Sequence, residues 1–205
     1  MKKLNIGIVG LGRLGKEYAK NIAHSVLNAN LIAACSLKHE ELEYAKNILG
    51  VQNLYRSYKE MLSNAPIDAV VIITPTNDHA DQIIKAVEAG YHVFCEKPLA
   101  INLEDCYKVE QAVEKHPSLI AMLGFVRRYD PSYADAKKKL NEGLVGQPIF
   151  VRSQTVDMDT LAPFQIDFCT TGGGIFHDFN VHDIDLVQWY LEANIVKVWS
   201  LGGAY

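Results

Sequence analysis

The amino-acid sequence predicts an α/β protein: a doubly wound parallel sheet over residues 1–125, followed by a shorter, incomplete α/β part over 126–205. Three observations carry this prediction. Short apolar runs alternate with amphipathic stretches from residue 3 to residue 123. One of those runs, DAVVIIT (68–74), is almost unbroken in apolar residues, as a parallel strand covered on both faces requires. Beyond residue 125 the run PIFVRSQTVDM (148–158) instead alternates, as a strand with one solvated face does.

Each element follows from its local pattern. LNIGIVG (4–10) reads as the first strand and 13–28 as a helix. LIAACS (31–36) reads as the second strand, with a helix over 39–49. After DAVVIIT a helix spans 78–89 and stops at Gly90, a residue type suited to the position just past a helix end. YHVFCE (91–96) is the next strand. Asn102 caps a helix over 102–115 whose first turn holds Glu104 and Asp105, where the helix dipole favours negative charge. LIAMLGF (119–125) closes the first part, and the domain boundary is expected between 124 and 130. RRYDPSY leads into a helix over 131–141 that ends near Gly143. After the strand at 148–158, residues 159–171 read as a loop, 175–191 as a helix, and IVKVWSLGGAY (195–205) as the start of another strand. Two strands make a marginal sheet. The missing strands are expected from a partner chain or from a longer parent protein.

Composition narrows the class. The chain has 205 residues, 49% hydrophobic and 21% charged, the balance of an ordinary globular protein. A formal net charge of -4 supplies no basic field for nucleic acid. The first apolar run, Leu4 to Val9, is too short to span a membrane, and nothing reads as a signal peptide. Cys35, Cys95, Cys106 and Cys169 form no CxxC pair, which argues against a structural zinc site and for a reducing, cytoplasmic setting.

Two segments carry candidate chemistry. Gly10, Gly12 and Gly15 form G-x-G-x-x-G directly after a strand and at the start of a helix, the context that a dinucleotide-binding fingerprint needs. Gly10 permits the tight turn, Gly12 the approach of a pyrophosphate, and Gly15 close helix–strand packing. The helix N-terminus, with Arg13 and Leu14, offers N–H groups and partial positive charge to the phosphates. Some twenty residues on, where a carboxylate usually binds the ribose 2′-hydroxyl, stands Ser36, followed by Lys38. A serine beside a cation suits a 2′-phosphate, so the cofactor reads as NAD or NADP, tilted towards NADP; a solvated surface role is the alternative for Lys38. TPTNDH (74–79) and EKP (96–98) end the third and fourth strands, at the edge where ligands lie in such sheets. Thr74 and Asn77 are candidates for the nicotinamide ribose, although Asn77 reads equally well as a helix cap, and His79 reads as structural. Glu96 and Lys97 fall beside the nicotinamide; Lys97 can stabilise negative charge on a substrate oxygen or sit in an ordinary salt bridge.

The second segment is GGGIFHDFNVHD (172–183). Asp178 and His182 stand four apart, on one face of the expected helix. His182 is the candidate general base, with Asp178 orienting the ring or the substrate hydroxyl; Asp183 and Asp185 project elsewhere. The alternatives are a buried structural histidine, or a metal-ligand pair for which spacing supplies no third ligand, so no metal is expected.

GLGRLG, TPTNDH, EKPLA, GFVRRYDPSY and GGGIFHDFNVHDIDLVQWY occur in that order, and together they resemble the glucose-fructose oxidoreductase / inositol dehydrogenase family, most of all its inositol 2-dehydrogenase branch. The resemblance covers essentially the whole chain. It implies a Rossmann domain, then an α/β domain with an open, mainly antiparallel sheet that mediates dimers or tetramers. It implies catalysis by Lys97, Asp178 and His182, substrate contacts from Arg127 and Asp157, a polyol or sugar substrate, and a cis Lys97–Pro98 bond. Ser36 departs from the acidic residue of the NAD-dependent inositol enzymes, and family members continue past residue 205. The expected activity is hydride transfer between a hydroxyl carbon and nicotinamide. The rival from another class is a truncated, non-catalytic nucleotide-binding or regulatory protein; a third reading keeps the enzyme and changes the substrate to another sugar, a biliverdin-like acceptor or a dihydrodiol.

Overall fold

The computed structural model describes residues 3–156 and 173–203. The chain divides into two compact units, Met1–Gly124 and Phe125–Tyr205.

The first unit is built on strands β1 (Leu4–Val9), β2 (Ala29–Cys35), β3 (Asn53–Tyr55), β4 (Ala69–Ile72), β5 (His92–Cys95) and β6 (Ala121–Leu123). They form one sheet in the order β3-β2-β1-β4-β5-β6, and every pairing is parallel. Helices α1 (Arg13–His24), α2 (His39–Asn47), α3 (Tyr58–Asn64), α4 (Thr76–Glu88) and α5 (Leu103–Glu114) make the crossovers. Alternate strand residues divide the core in two. Val70, Ile72, Val93 and Cys95 pack with Met61, Ile83, Val87 and Val109 from α3, α4 and α5. Ile6, Ile8, Ala34 and Val71 pack with Ala19, Ile22 and Ala45 from α1 and α2. Successive residues of β4 thus enter opposite cores, which is why that strand has no polar face.

Caps set several helix ends. Asn102 accepts a bond from the Asp105 amide, as its sequence context predicts, and Ser57 accepts one from the Glu60 amide. Two expectations need correction, and two elements went unannounced in the sequence. The first helix stops at His24, not at 28, because Leu27 lies on an exposed turn. β3 and α3 carry no periodicity long enough to announce them. Helix α4 begins at Thr76, so Asn77 stands inside its first turn and is not the cap.

In the second unit a 3-10 turn (Val126–Tyr129) leads into α6 (Pro131–Asn141), whose N-cap Asp130 accepts the Ser132 and Tyr133 amides. A π-helical turn (Phe176–Asn180) runs directly into α7 (Val181–Leu191). The strands expected at 148–158 and 195–205 are not formed among the described residues. Their apolar side chains, among them Ile149, Phe150, Val198 and Trp199, are exposed. Alternation supplies a face, but a strand also requires a neighbouring backbone to take its N–H and C=O groups. No helix among the described residues is long and apolar enough to cross a membrane.

Candidate active site

The glycine fingerprint fills the β1–α1 connection at the carboxyl edge of the sheet. The Gly10 amide donates to Cys35 O at 3.0 Å, tying the turn to the end of β2. Gly10 has φ 87°, and a Cβ there would lie 2.3 Å from Ile73 O, so no side chain fits. A Cβ on Gly15 would lie 2.0 Å from Gly10 O, which shows how closely α1 crosses the turn. Gly12, the N-cap of α1, faces open space, and no acidic residue stands in the first turn. A helix start without side-chain cap or carboxylate suits a pyrophosphate, so Gly10, Gly12, Arg13, Leu14 and Gly15 fit the group that the fingerprint implies.

At the end of β2 the sequence reading of Ser36 changes. Ser36 is buried, and its hydroxyl donates to Glu41 Oε2 at 2.5 Å. Its oxygen accepts the Lys38 amide at 3.1 Å. Glu41 is itself buried, and Lys38 Nζ lies 3.7 Å from its other oxygen. Sequence reasoning missed Glu41. The only signal was a glutamate in the first turn of α2, which also suits the helix dipole.

The next two strand ends are linked by His79. Its ring is 1% exposed, with Nδ1 2.8 Å from Pro98 O and Nε2 2.9 Å from Thr74 O. The histidine read as structural thus bridges the TPTNDH and EKP loops. Thr74 donates its hydroxyl to Gln82 Oε1 at 2.6 Å, and Asn77 is exposed. Glu96 is buried between the Tyr18 hydroxyl, 2.5 Å from Oε1, and the Lys97 amide, 3.0 Å from Oε2. Burial, reinforced by the bond to Glu96, pushes the Tyr18 phenol up and keeps it protonated. The Lys97–Pro98 bond is cis, as expected.

In the second unit Asp178 lies in the π turn and His182 in the first turn of α7. π turns occur disproportionately at functional sites. His182 Nδ1 is buried. Asp183 and Asp185, set aside by sequence reasoning, are anchors. Arg127 donates to Asp183 Oδ1 at 2.5 Å and to Thr155 Oγ1 at 2.7 Å, and Ser153 also donates to Asp183. Arg128 holds Asp185 with two bonds, at 2.9 and 2.5 Å. Burial raises the Asp183 carboxyl, but the bonds from Ser153, Arg127 and Thr155 together outweigh it and hold the group below the usual aspartate range. Asp157 lies outside the described residues.

Asp183→Ala is therefore expected to destabilise the second unit by about 2–3 kcal/mol, somewhat under the penalty for breaking a fully enclosed ion pair. Both tryptophans, Trp189 and Trp199, belong to this unit, so denaturant melts followed by tryptophan fluorescence read it directly. A depressed carboxyl pKa contributes stability above its unfolded value, about 3.9, and loses it as pH falls through the lower folded value. The difference between wild type and variant should accordingly shrink as pH is lowered below about 4.

Other candidate chemistry is absent or inert among the described residues. No group of three or more His, Cys, Asp or Glu side chains could hold a metal. Cys35, Cys95 and Cys106 are free thiols. Burial pushes the Cys35 thiol up to about 11, and burial with the Glu96 charge raises Cys95, so neither is a ready nucleophile. A cavity of about 350 Å³ between α4, α5 and strands β5 and β6 is lined by Ile83, Val93, Leu99, Val109 and Val113, and contains none of the candidate residues.

Comparison with known proteins gives the following. Residues 4–125 match the family described as "Oxidoreductase family, NAD-binding Rossmann fold", and residues 133–205 match the "GFO/IDH/MocA C-terminal domain". The chain is 39% identical over 200 residues to scyllo-inositol 2-dehydrogenase (NAD(+)) of Bacillus subtilis, covering 98% of this chain and 57% of that protein. It is 32% identical to myo-inositol 2-dehydrogenase of Thermotoga maritima, covering 97% and 58%. Among solved structures, scyllo-inositol dehydrogenase from Lactobacillus casei with bound NAD(H) and scyllo-inositol matches with a TM-score of 0.89 and 40% identity, covering 93% of this chain and 57% of that one. The chain spans somewhat over half the length of the relatives it matches.

Proposed function

Because the chain belongs to the NAD-binding Rossmann-fold oxidoreductase family, we propose that it serves as a nicotinamide-dependent dehydrogenase of a polyol, most like the inositol 2-dehydrogenases. The observation that carries this reading is the 39% identity to a scyllo-inositol 2-dehydrogenase over 98% of the chain. The glycine cradle between β1 and α1 supports it independently.

Residues Gly10, Gly12, Arg13, Leu14 and Gly15 would hold the pyrophosphate, Ser36 and Lys38 would border the adenosine ribose, and Thr74, Asn77, Glu96 and Lys97 would serve the nicotinamide end. When bound, the nicotinamide accepts a hydride from the hydroxyl-bearing carbon. His182 takes the hydroxyl proton, and Asp178 orients the ring and favours the imidazolium that forms. Lys97 donates to the substrate oxygen and stabilises its developing negative charge. Glu96, fixed by Tyr18, accepts the Lys97 amide and so steadies the backbone that carries this lysine. Arg127 contacts the polyol through the donors that Asp183 and Thr155 leave, and Asp157 contributes a further polar contact. Residues 1–125 form the nucleotide domain and 126–205 part of a substrate domain. That incomplete second domain contributes to an open, mainly antiparallel sheet through which the protein forms a homo-oligomer, and the protein works in the cytoplasm.

Titration with NADH and NADPH, followed by nicotinamide fluorescence, tests the first half of this reading. Turnover of myo- and scyllo-inositol with the oxidised cofactors tests the second. Binding with turnover is expected. Binding without turnover on any polyol would favour a nucleotide-binding role alone.

A further inference from the structure

We propose that Glu41 selects the unphosphorylated adenosine ribose, so that this chain takes NAD(H) and rejects NADP(H), although Glu41 stands on a helix, five residues past Ser36. The inference rests on the dehydrogenase reading above, and reverses the tilt towards NADP that Ser36 and Lys38 suggest in sequence.

Space supplies what the sequence lacks. In sheets of this kind the group that reads the adenosine ribose lies at the end of the second strand. Ser36 occupies that place by sequence, directly after β2, and the Gly10 amide bonds to the last residue of the same strand. The carboxylate of Glu41 returns to this point from the first turn of α2, with Oε2 2.5 Å from Ser36 Oγ. A carboxylate therefore stands at the end of β2, delivered by a different residue.

The bonding pattern disfavours a phosphate on three counts. The one proton of the Ser36 hydroxyl goes to Glu41, and its oxygen accepts the Lys38 amide, so Ser36 has no hydrogen left to give a phosphate oxygen. Lys38 Nζ is 3.7 Å from Glu41 Oε1, so its charge is already engaged by that carboxylate; its side chain is 67% exposed and screened by solvent. The Glu41 side chain is only 10% exposed, so a 2′-phosphate carrying about two negative charges would face a poorly screened like charge. A ribose diol has the opposite character. It presents two hydroxyl donors, and an ionised carboxylate is an acceptor only.

Affinity for the two reduced cofactors tests this. Wild type is expected to bind NADH at least about tenfold more tightly than NADPH. Glu41→Gln keeps the shape and removes the charge; it should weaken NADH binding and collapse the ratio to about threefold or less. Lys38→Ala, a change on the surface, should widen the preference for NADH, because the cation that offsets Glu41 is gone. Equal affinities in wild type, tighter binding of NADPH, or an unchanged ratio in a Glu41→Gln protein with native circular dichroism would each overturn the proposal. Absence of binding by either nucleotide would overturn the dehydrogenase reading itself, and this inference with it.

Discussion

Turnover of an inositol by the His182→Ala protein is expected to fall by about 10²- to 10⁴-fold, the usual worth of a positioned general base. An alcohol cannot release a hydride from carbon unless its hydroxyl proton is accepted, and an imidazole titrating near neutrality is suited to accept it. His182 stands in the first turn of α7, just after the π turn that carries Asp178, and its Nδ1 is buried. In the proposed mechanism the Asp178 carboxylate, four residues earlier, favours the imidazolium product. NADH affinity should change little in this variant, since the fingerprint residues belong to the first unit. The split between lost turnover and retained binding separates a chemical role from a structural one. Unchanged turnover would remove His182 from the mechanism.

Gly15→Ala is expected to cost at least about 3 kcal/mol of stability in the first unit and to weaken NADH binding by about 100-fold or more. The added methyl carbon would meet Gly10 O at 2.0 Å, inside any permissible contact. Gly10 is tethered, because its amide donates to Cys35 O at 3.0 Å. Helix α1 must then lift from the turn, and the cradle between them opens. Far-UV circular dichroism melts and the NADH titration read the two effects separately. A variant that melts and binds like wild type would mean that α1 is free to move, contrary to the packing described above.

Much of the first unit was legible because its signals are local. Runs such as DAVVIIT announce a strand covered on both sides, and Asn102 with Asp105 marks a helix start that forms as read. The glycine fingerprint was legible because spacing and context coincide. What escaped was set by distance or by partnership. Asn53–Tyr55 is too short to show a period and exists because β2 offers it an edge. Ser36 and Glu41 meet because α2 turns back on the strand end, and no motif records that turn. Arg127 and Arg128 find Asp183 and Asp185 across more than fifty residues, so acidic side chains that looked unemployed in sequence hold α7 to the 3-10 turn. The π turn leaves no mark in composition. The alternating run at 148–158 shows which side chains would share a face, but not whether a neighbouring strand is at hand.

The order β3-β2-β1-β4-β5-β6 has a consequence for synthesis. The two central strands are the first and the fourth to be made, and their pairing is available once residue 72 has left the ribosome. The last strand, Ala121–Leu123, only extends an edge. Every ladder of the sheet thus lies within the first 124 residues, ahead of the stretch that bears Asp178 and His182. A chain that emerges N-terminus first has its whole nucleotide scaffold in hand before the ribosome has translated the residues proposed to move the proton.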